Sequence, residues 1–396
     1  MLRFLTAGES HGASLTLIIE GLPSGLAINE EQIGDELSRR RRGFGRGPRM
    51  RFERDELRLS GGIRHGRTLG SPVAIEILNS EWPKWEQEMS AAPGTPSNKL
   101  TKPRPGHADL AGMQKYAFDD ARDVLERASA RETAARVAAG ALAKALLATI
   151  GVEILSHVVR IGQVAAPLDR RPAPGELSVV DESEVRCFDD ETAAKMITEI
   201  KAAAKEGDSL GGIVEVIAYG VPVGLGSYVH WDRKLDGLLA GALMSIQAVK
   251  AVEIGDGMMQ ASQRGSVAHD AIAVDDTFAS GGGYIRRSDH AGGLEGGMTS
   301  GAPVIAKVAM KPLATLNRPV LETVDVATGE SAVSFKERTD VTAVPALGVV
   351  TEAMMALVLA NEAMRKFGGD SVEEFVRNHA TYVANLGSTS SHALPE

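Results

Sequence analysis

The 396-residue chain has a single cysteine, Cys187, and no long uninterrupted run of apolar residues. One thiol cannot form an intrachain disulfide or a cysteine-based zinc site, so both kinds of cross-link are excluded and Cys187 reads as an ordinary, partly buried residue. No stretch approaches the roughly 18 apolar residues that a membrane helix needs, and MLRFLTAGESHG lacks the apolar stretch of a signal peptide. We therefore expect a soluble, cytoplasmic protein with no membrane partner.

Aromatic residues make up only 4% of the chain, and the formal charge at pH 7 is −9. An acidic balance and few aromatic side chains for base stacking disfavour nucleic acid as a partner. The sequence has no HExxH motif, no Walker A loop and no dinucleotide-binding GxGxxG before a helix. Metalloprotease, P-loop and Rossmann functions are therefore not supported, and we expect no metal.

The chain is rich in glycine and, in one segment, in arginine. Glycine accounts for 43 residues, and residues 39–67 hold eleven arginines against Glu53, Asp55 and Glu56. A guanidinium is always charged, and its fork fits phosphate and carboxylate oxygens. The segment predicts a polyanionic small-molecule ligand, while a solvated charged face and nucleic acid remain as alternatives.

Two pairs of similar segments predict an internal duplication. GESHGASLTLIIEGLPSGL (8–26) matches GDSLGGIVEVIAYGVPVGL (207–225) at eight of nineteen positions, and GGIRHGRTLGSPVAIEI (61–77) resembles GGLEGGMTSGAPVIAKV (292–308). We expect one domain, 1–396, with repeats of approximately 1–150 and 207–366. The second copy of the first helix has no arginine run, so we expect the arginines to be exposed and dispensable for folding.

The remaining pattern favours an α+β fold of layered, largely antiparallel sheets with central helices, because hairpin signals outnumber regular strand–helix–strand spacing. Capping boxes are predicted at 29–32 and 129–132, the second opening a buried, alanine-rich helix. Another core helix is predicted to end at Gly368 and Gly369. Segment 82–107 reads as a long mobile loop of the kind that often serves as a lid.

Ser10 and His11 lie side by side in GESHG, yet adjacent residues of an extended chain point to opposite faces, so they do not fit a hydrolase dyad. His11 precedes a glycine in GESHG, His107 follows one in RPGHADL, and Leu210 replaces His11 in the second repeat. Because the two repeats differ at this position, the sequence favours functional roles for the two histidines and one active site for each pair of repeats.

Lys311 and Asp340 lie at the ends of predicted elements, where a side chain can contact a ligand. Lys311 ends a strand next to a proline and is a reasonable phosphate contact, although the signal is weakly specific. Asp340 lies just before an apolar helix, where it reads either as a helix cap or as a proton acceptor.

Seven segments in order make the chain resemble the chorismate synthase family over nearly its whole length: GESHG, RRRRGFGRGPR, RPGHADL, RASARETAARVAAGALAK, DSLGG, MSIQAVKAVEIG and KP. The resemblance implies a β-α-β sandwich, a homotetramer and a lyase that uses reduced FMN. The implied reaction converts 5-enolpyruvylshikimate 3-phosphate into chorismate and phosphate by 1,4-anti elimination, without net redox change. Whether NADPH reduces the flavin on this chain is left open.

The resemblance also implies residue roles. His11 corresponds to the acid that protonates the departing phosphate, His107 to the histidine that stabilises the anionic reduced flavin, and Asp340 to the residue that assists proton removal at C6 through the flavin. Ser10 becomes a supporting hydrogen-bond partner, and Arg40 and Arg46 match arginines that bind substrate or pyridine nucleotide. FMN contacts are expected at Arg127, Ala128, Ser129, Gln247, Ala248, Gly296, Lys311, Pro312, Leu313, Ala314, Thr315 and Arg338.

Three segments depart from the family pattern. The chain has RTDVT where RHDPC is common, GMTSG where a GISNG-like turn is common, and Ala251 where glycine is usual. The first departure removes any role for a histidine beside Asp340.

Overall fold

The computed structural model describes residues 1–47, 55–275, 277–318, 320–334 and 339–386. Its strands are β1 (Arg3–Gly8), β2 (Ser14–Glu20), β3 (Glu56–Gly61), β4 (Ile63–Arg64), β5 (Arg67–Thr68), β6 (Val73–Leu78), β7 (Glu153–Ile161), β8 (Val164–Ala165), β9 (Gly212–Tyr219), β10 (Val249–Ile254), β11 (Ile272–Val274), β12 (Tyr284–Arg286), β13 (Leu294–Glu295), β14 (Met298–Thr299), β15 (Val304–Met310), β16 (Glu322–Val324) and β17 (Ser331–Val333).

The α-helices in the same residues are α1 (Glu30–Arg41), α2 (Trp82–Trp85), α3 (Asp109–Tyr116), α4 (Arg122–Ala128), α5 (Thr133–Ala148), α6 (Leu177–Glu182), α7 (Asp190–Glu206), α8 (Leu235–Met244), α9 (Gly257–Gln260), α10 (Gly265–Ala268), α11 (Val344–Phe367) and α12 (Val372–Ala384). Short 3₁₀ helices cover Ala130–Glu132, Trp231–Arg233 and Ala279–Gly281.

Two antiparallel sheets form the outer layers. The first has the strand order β1-β2-β6-β3 and the second β10-β15-β9-β7-β8. In β2 the apolar residues Leu15, Leu17 and Ile19 point to the buried side, as their alternation predicts. The predicted α+β class with antiparallel sheets is confirmed.

Helices α5 and α11 pack against each other between the sheets, with α5 next to β2 and α11 next to β7 and β9. Their backbones approach closely at Gly140, where an added Cβ would lie 2.3 Å from the Cβ of Ala353. Most residues of both helices are buried, so the two predicted core helices are confirmed. Helix α11 is long and apolar enough to cross a membrane by composition, but 89% of its most apolar window is buried inside the protein.

The strands and helices of the two sheets follow each other along the chain in the same order. In the first, α1 connects β2 to β3, and the chain returns along β6 between them before entering α5. In the second, α8 connects β9 to β10, and β15 lies between them, with α11 following.

Local predictions had mixed outcomes. The capping box at Asn29 is present, and Gly368 and Gly369 follow α11 with positive φ. The box at Ser129 and Glu132 is wrong: Ser129 caps a short 3₁₀ turn, and the Glu132 carboxylate binds other segments. The predicted lid, 82–107, begins with the short helix α2. Its remaining residues form no helix or strand.

Candidate active site

His11 lies in the connection between β1 and β2, where Glu126 of α4 holds it. Its Nδ1 is 2.9 and 3.1 Å from the two carboxylate oxygens of Glu126, and its backbone N–H donates to the same carboxylate at 2.9 Å. The imidazole stacks on Trp85, with ring centroids 4.1 Å apart. The ring is therefore fixed through one nitrogen and one face.

Ser10 has different partners from its neighbour. Its N–H donates to the backbone carbonyl of Glu126 at 3.0 Å, and its hydroxyl receives a hydrogen bond from Ser129 at 3.2 Å. The two side chains of GESHG thus bind separate groups. The interpretation against a hydrolase dyad agrees with this geometry.

Glu126 is buried beneath the imidazole, and Arg122 donates to it at 3.1 Å while lying over Trp85. Burial raises the pKa of this carboxyl, but the hydrogen bonds and charge of His11 and the charge of Arg122 outweigh burial. The net pKa lies below the ordinary glutamate value. An ionised carboxylate therefore faces His11 at neutral pH.

Two of the segments predicted to bind FMN meet beside β1. Arg127 donates to the carbonyl and hydroxyl of Thr6, at 2.9 and 2.8 Å, and to the carbonyl of Gly8 at 3.1 Å. Gln247 donates from Nε2 to Glu132 at 3.1 Å. A cavity of about 380 Å³ opens here, and Thr6, Arg127, Glu132 and Gln247 form part of its lining.

This arrangement passes a simple test of fit for a flavin ring, which has both N–H donors and carbonyl acceptors. Oε1 of Gln247 is buried, and no described residue donates a hydrogen bond to it. Such an unmatched acceptor costs about 1–3 kcal/mol, which a ligand N–H would recover. The adjacent Ala248 has φ 65°, an unusual backbone conformation for a residue with a side chain.

His107 belongs to a second cluster, which Asp109 organises. Nδ1 of His107 contacts Asp109, and Arg104 donates to the same carboxylate at 2.8 and 3.0 Å. Burial raises the pKa of Asp109, but the hydrogen bonds from His107 and Arg104 hold it well below the usual range. The His107 ring is therefore held by an ionised carboxylate, as His11 is.

The His107 cluster touches the predicted flavin segment 311–315. Lys311 donates from Nζ to the Gly106 carbonyl and from its backbone to the Ala248 carbonyl, the latter at 3.0 Å. Arg104 donates to the Thr315 hydroxyl at 3.0 Å, and Ser209 donates to the Leu313 carbonyl at 2.8 Å. The structure thus brings His107, Ala248 and residues 311–315 together, with Pro312 and Ala314 in the same stretch.

Arg40 is buried, with only 4% of its surface exposed. Its guanidinium lies 4.0 Å from Asp55 and donates to Thr133 at 3.4 Å, and Asp55 also pairs with Arg41 and Arg131. The expectation that the arginines are exposed is wrong at Arg40, while the expectation that folding does not need them stays a prediction. Helix α1 places this residue against the start of α5, where a charged side chain needs partners.

Arg46 and Asp340 come together although they are distant in sequence. Arg46 lies 3.0 Å from one oxygen of Asp340, and the Gly47 amide donates to the other at 2.6 Å. Asp340 is not the cap of α11, because that helix starts at Val344 with Ala343 before it. Of the two alternatives left open for Asp340, the helix cap is therefore excluded.

Gly296, one of the predicted flavin contacts, lies apart from the other predicted contacts that the structure describes. Gly296 lies in the β13–β14 hairpin near Tyr228, and no described hydrogen bond links that hairpin to the remaining predicted contacts. Arg338 lies outside the described residues. Sequence reasoning did not identify Glu126 and Trp85 as partners of His11. The only signal for Glu126 was its position directly before RASARE, and the only signal for Trp85 was its position inside the predicted lid.

Comparisons with known proteins identify the family of the chain. A family model described as chorismate synthase matches residues 2–364. The chain is 58% identical to the chorismate synthases of Thermobifida fusca (strain YX) and Frankia casuarinae, in each case over 98% of this chain and 99% of the relative. A crystal structure of chorismate synthase aligns with a TM-score of 0.78 at 40% identity, covering 98% of both chains. The chain therefore belongs to the chorismate synthase family, lyases of the shikimate pathway that serve aromatic amino acid biosynthesis.

Proposed function

We propose that this lyase binds reduced FMN and 5-enolpyruvylshikimate 3-phosphate around His11 and releases phosphate by 1,4-anti elimination without net redox change. The observation that carries the proposal is the contact of His11 with the ionised, buried Glu126, whose helix continues directly into Arg127 and Ala128. The proposed proton donor is therefore held by the same short helix that carries a candidate flavin segment.

The residues proposed to hold FMN are Arg127, Ala128, Ser129, Gln247, Ala248 and 311–315, with Gly296 and Arg338 as further contacts. Arg127 supplies donors suited to flavin carbonyls, and the buried Oε1 of Gln247 supplies an acceptor suited to a flavin N–H. When bound, reduced FMN supplies electron density to the substrate as phosphate departs.

His11 is proposed as the acid that protonates the departing phosphate. Glu126 holds Nδ1, so Nε2 is the nitrogen proposed to exchange the proton, and the stack on Trp85 sets the plane of the ring. Ser10 supports this arrangement by binding both Glu126 and Ser129. A general acid typically contributes 10²- to 10⁴-fold in rate.

His107 and Asp340 are proposed to have two different roles in the elimination, one toward the cofactor and one toward the substrate proton. The His107 ring, held by Asp109, would place positive charge near the residues that hold the anionic reduced cofactor. Asp340 is proposed to assist removal of the substrate proton, and Arg46 with the Gly47 amide fixes the position of its two oxygens.

The proposed substrate carries one phosphate and two carboxylates, so its transfer from water needs several compensating charges. Arg40 and Arg46 are proposed to supply two of these charges, with the arginine-rich segment around them. NADPH is proposed only as a possible reductant of bound FMN, and the same arginines would serve its phosphates.

The organisation of the chain and its assembly are also proposals. The shared order of elements in the two sheets supports an internal duplication, in which β7 takes the place of β1, so the second repeat would start near 153 rather than 207. We propose a cytoplasmic homotetramer from the family resemblance. The exposed cross-strand partners Leu5 and Ile18, on the outer face of the first sheet, support contact with another copy.

Anaerobic turnover tests the proposal. Phosphate release and chorismate formation are measured with pre-reduced FMN, with oxidised FMN, and with oxidised FMN plus NADPH. Product with pre-reduced FMN and none with oxidised FMN alone supports the proposed function. Product in the third mixture shows that the chain also reduces its flavin, and its absence there excludes NADPH as a direct reductant.

A further inference from the structure

Glu132, a carboxylate to which no role has been assigned, joins the two segments proposed to hold FMN. Its Oε1 accepts a hydrogen bond from the Thr6 hydroxyl at 2.8 Å, and its Oε2 accepts from Arg136 at 2.8 Å and from Nε2 of Gln247 at 3.1 Å. The Thr6 hydroxyl accepts in turn from Arg127 at 2.8 Å. Arg127 and Gln247 are thus connected through Thr6 and Glu132.

The protonation state of Glu132 decides what this connection can do. Burial raises the pKa of this carboxyl, but the charge of Arg136 and the hydrogen bonds from Gln247 and Thr6 outweigh burial, so the net pKa lies below the ordinary glutamate value. An ionised carboxylate accepts hydrogen bonds and cannot donate them. The side of the Gln247 amide that faces Glu132 must therefore be its NH₂ group.

This constraint fixes the opposite end of the amide. With Nε2 bound to Glu132, Oε1 of Gln247 is the buried acceptor to which no described residue donates. Gln247 lines the same cavity as Glu132 and Arg127. Without the carboxylate, the amide could rotate by a half-turn and offer an N–H group where it now offers an oxygen.

We propose that Glu132 is a positioning residue for the cofactor: it holds the Gln247 amide so that Oε1 can accept a hydrogen bond from an N–H of the flavin ring. This inference rests on the proposed binding of FMN and adds a residue that acts through Gln247. Glu132 also steadies Arg127 through Thr6, so one carboxylate orders both a donor and an acceptor for the same ligand.

A double-mutant cycle on cofactor affinity tests the proposal. The dissociation constant of reduced FMN is measured by anaerobic titration for the wild-type protein, Glu132→Ala, Gln247→Ala and the double variant. Loss of one neutral hydrogen bond is expected to raise the constant about five- to tenfold for Gln247→Ala in the wild-type background. In the Glu132→Ala background the same substitution should add less than twofold, because the amide is no longer oriented. Equal effects in both backgrounds would overturn the proposal.

Two further variants separate positioning from general stability. Glu132→Gln keeps an oxygen that can accept from Nε2 of Gln247, so it should restore most of the FMN affinity that Glu132→Ala loses. Glu215→Ala is the matched control, since Glu215 in β9 is also a buried carboxylate but binds His157 and Arg171, away from the cavity. It should lower the melting temperature and leave FMN affinity within twofold. Affinity that follows the melting temperature across all variants contradicts a positioning role.

If Glu132→Ala does not fold, Gln247→Glu tests the same contact from the other side, because a second carboxylate cannot donate to Glu132. Its FMN dissociation constant should rise at least as much as that of Gln247→Ala, and an unchanged constant overturns the inference. Absence of FMN binding by the wild-type protein would remove the proposed function and this inference together. Normal binding by the wild-type protein and by Glu132→Ala alike would remove only this inference.

Discussion

Replacing Glu126 with glutamine removes the negative charge next to His11 while keeping the size of the side chain. The carboxylate accepts from Nδ1 of His11 at 2.9 Å, from the His11 amide at 2.9 Å and from Arg122 at 3.1 Å. Hydrogen bonds to charged groups contribute about 1.5–3 kcal/mol and neutral ones about 0.5–1.5 kcal/mol. Neutralising the acceptor should therefore cost about 1–1.5 kcal/mol in the step that uses the protonated imidazole, or roughly tenfold in kcat.

The assay is the anaerobic initial rate of phosphate release at saturating substrate and pre-reduced FMN. His11→Ala should lose about 10²- to 10⁴-fold in kcat, and Glu126→Gln roughly tenfold, with FMN affinity retained. Glu215→Gln is the control, because that buried carboxylate also binds a histidine at 3.1 Å and an arginine at 2.8 Å, but in the second sheet. An unchanged kcat for Glu126→Gln would refute the role of Glu126 in holding the acid.

Three further perturbations test other parts of the structure. Arg40→Ala should lower the free energy of unfolding by about 1–3 kcal/mol, since Arg40 is buried near Asp55. The same substitution should weaken substrate binding by about one to two decades. Thermal melts measure the first effect, and substrate titrations measure the second. Glu352→Gln neutralises a fully buried carboxylate that binds Arg39 at 2.8 and 3.0 Å, so it should cost about 3–5 kcal/mol in urea unfolding without changing FMN affinity. The pKa of Asp109 is lowered in the folded protein, so its ionised form stabilises the fold above the ordinary aspartate pKa, and this stabilisation is lost as pH falls toward the lowered pKa. The urea midpoint should therefore fall progressively below about pH 5, most steeply below about pH 4, and less steeply in Asp109→Asn.

Local sequence patterns predicted the elements whose causes are local. Alternation in SLTLIIE predicted β2, because one face of that strand is buried and the other is open. The alanine-rich segment predicted a helix in close contact with its neighbours, and Gly140 meets Ala353 there. The capping box at Asn29 was likewise readable, since all of its atoms lie within one turn.

Contacts that depend on the tertiary fold could not be read in the same way. His11 and Glu126 are 115 positions apart, and nothing in GESHG names its partner. Glu132 has the spacing of a capping box, yet stronger partners in Thr6, Arg136 and Gln247 draw its side chain away from the helix end. Arg40 is in a run that looks like a solvated face, and only the packing of α1 against α5 shows that it is buried.

The central claim is that this site performs an elimination that needs reduced FMN but does not consume it. The most direct measurement follows product and flavin absorbance together, under anaerobic conditions, with substrate in large excess over pre-reduced FMN. The account predicts many equivalents of chorismate and phosphate per flavin, with the flavin still reduced when the substrate is exhausted. Oxidation of one flavin for each product formed, or equal turnover with oxidised FMN alone, would contradict it.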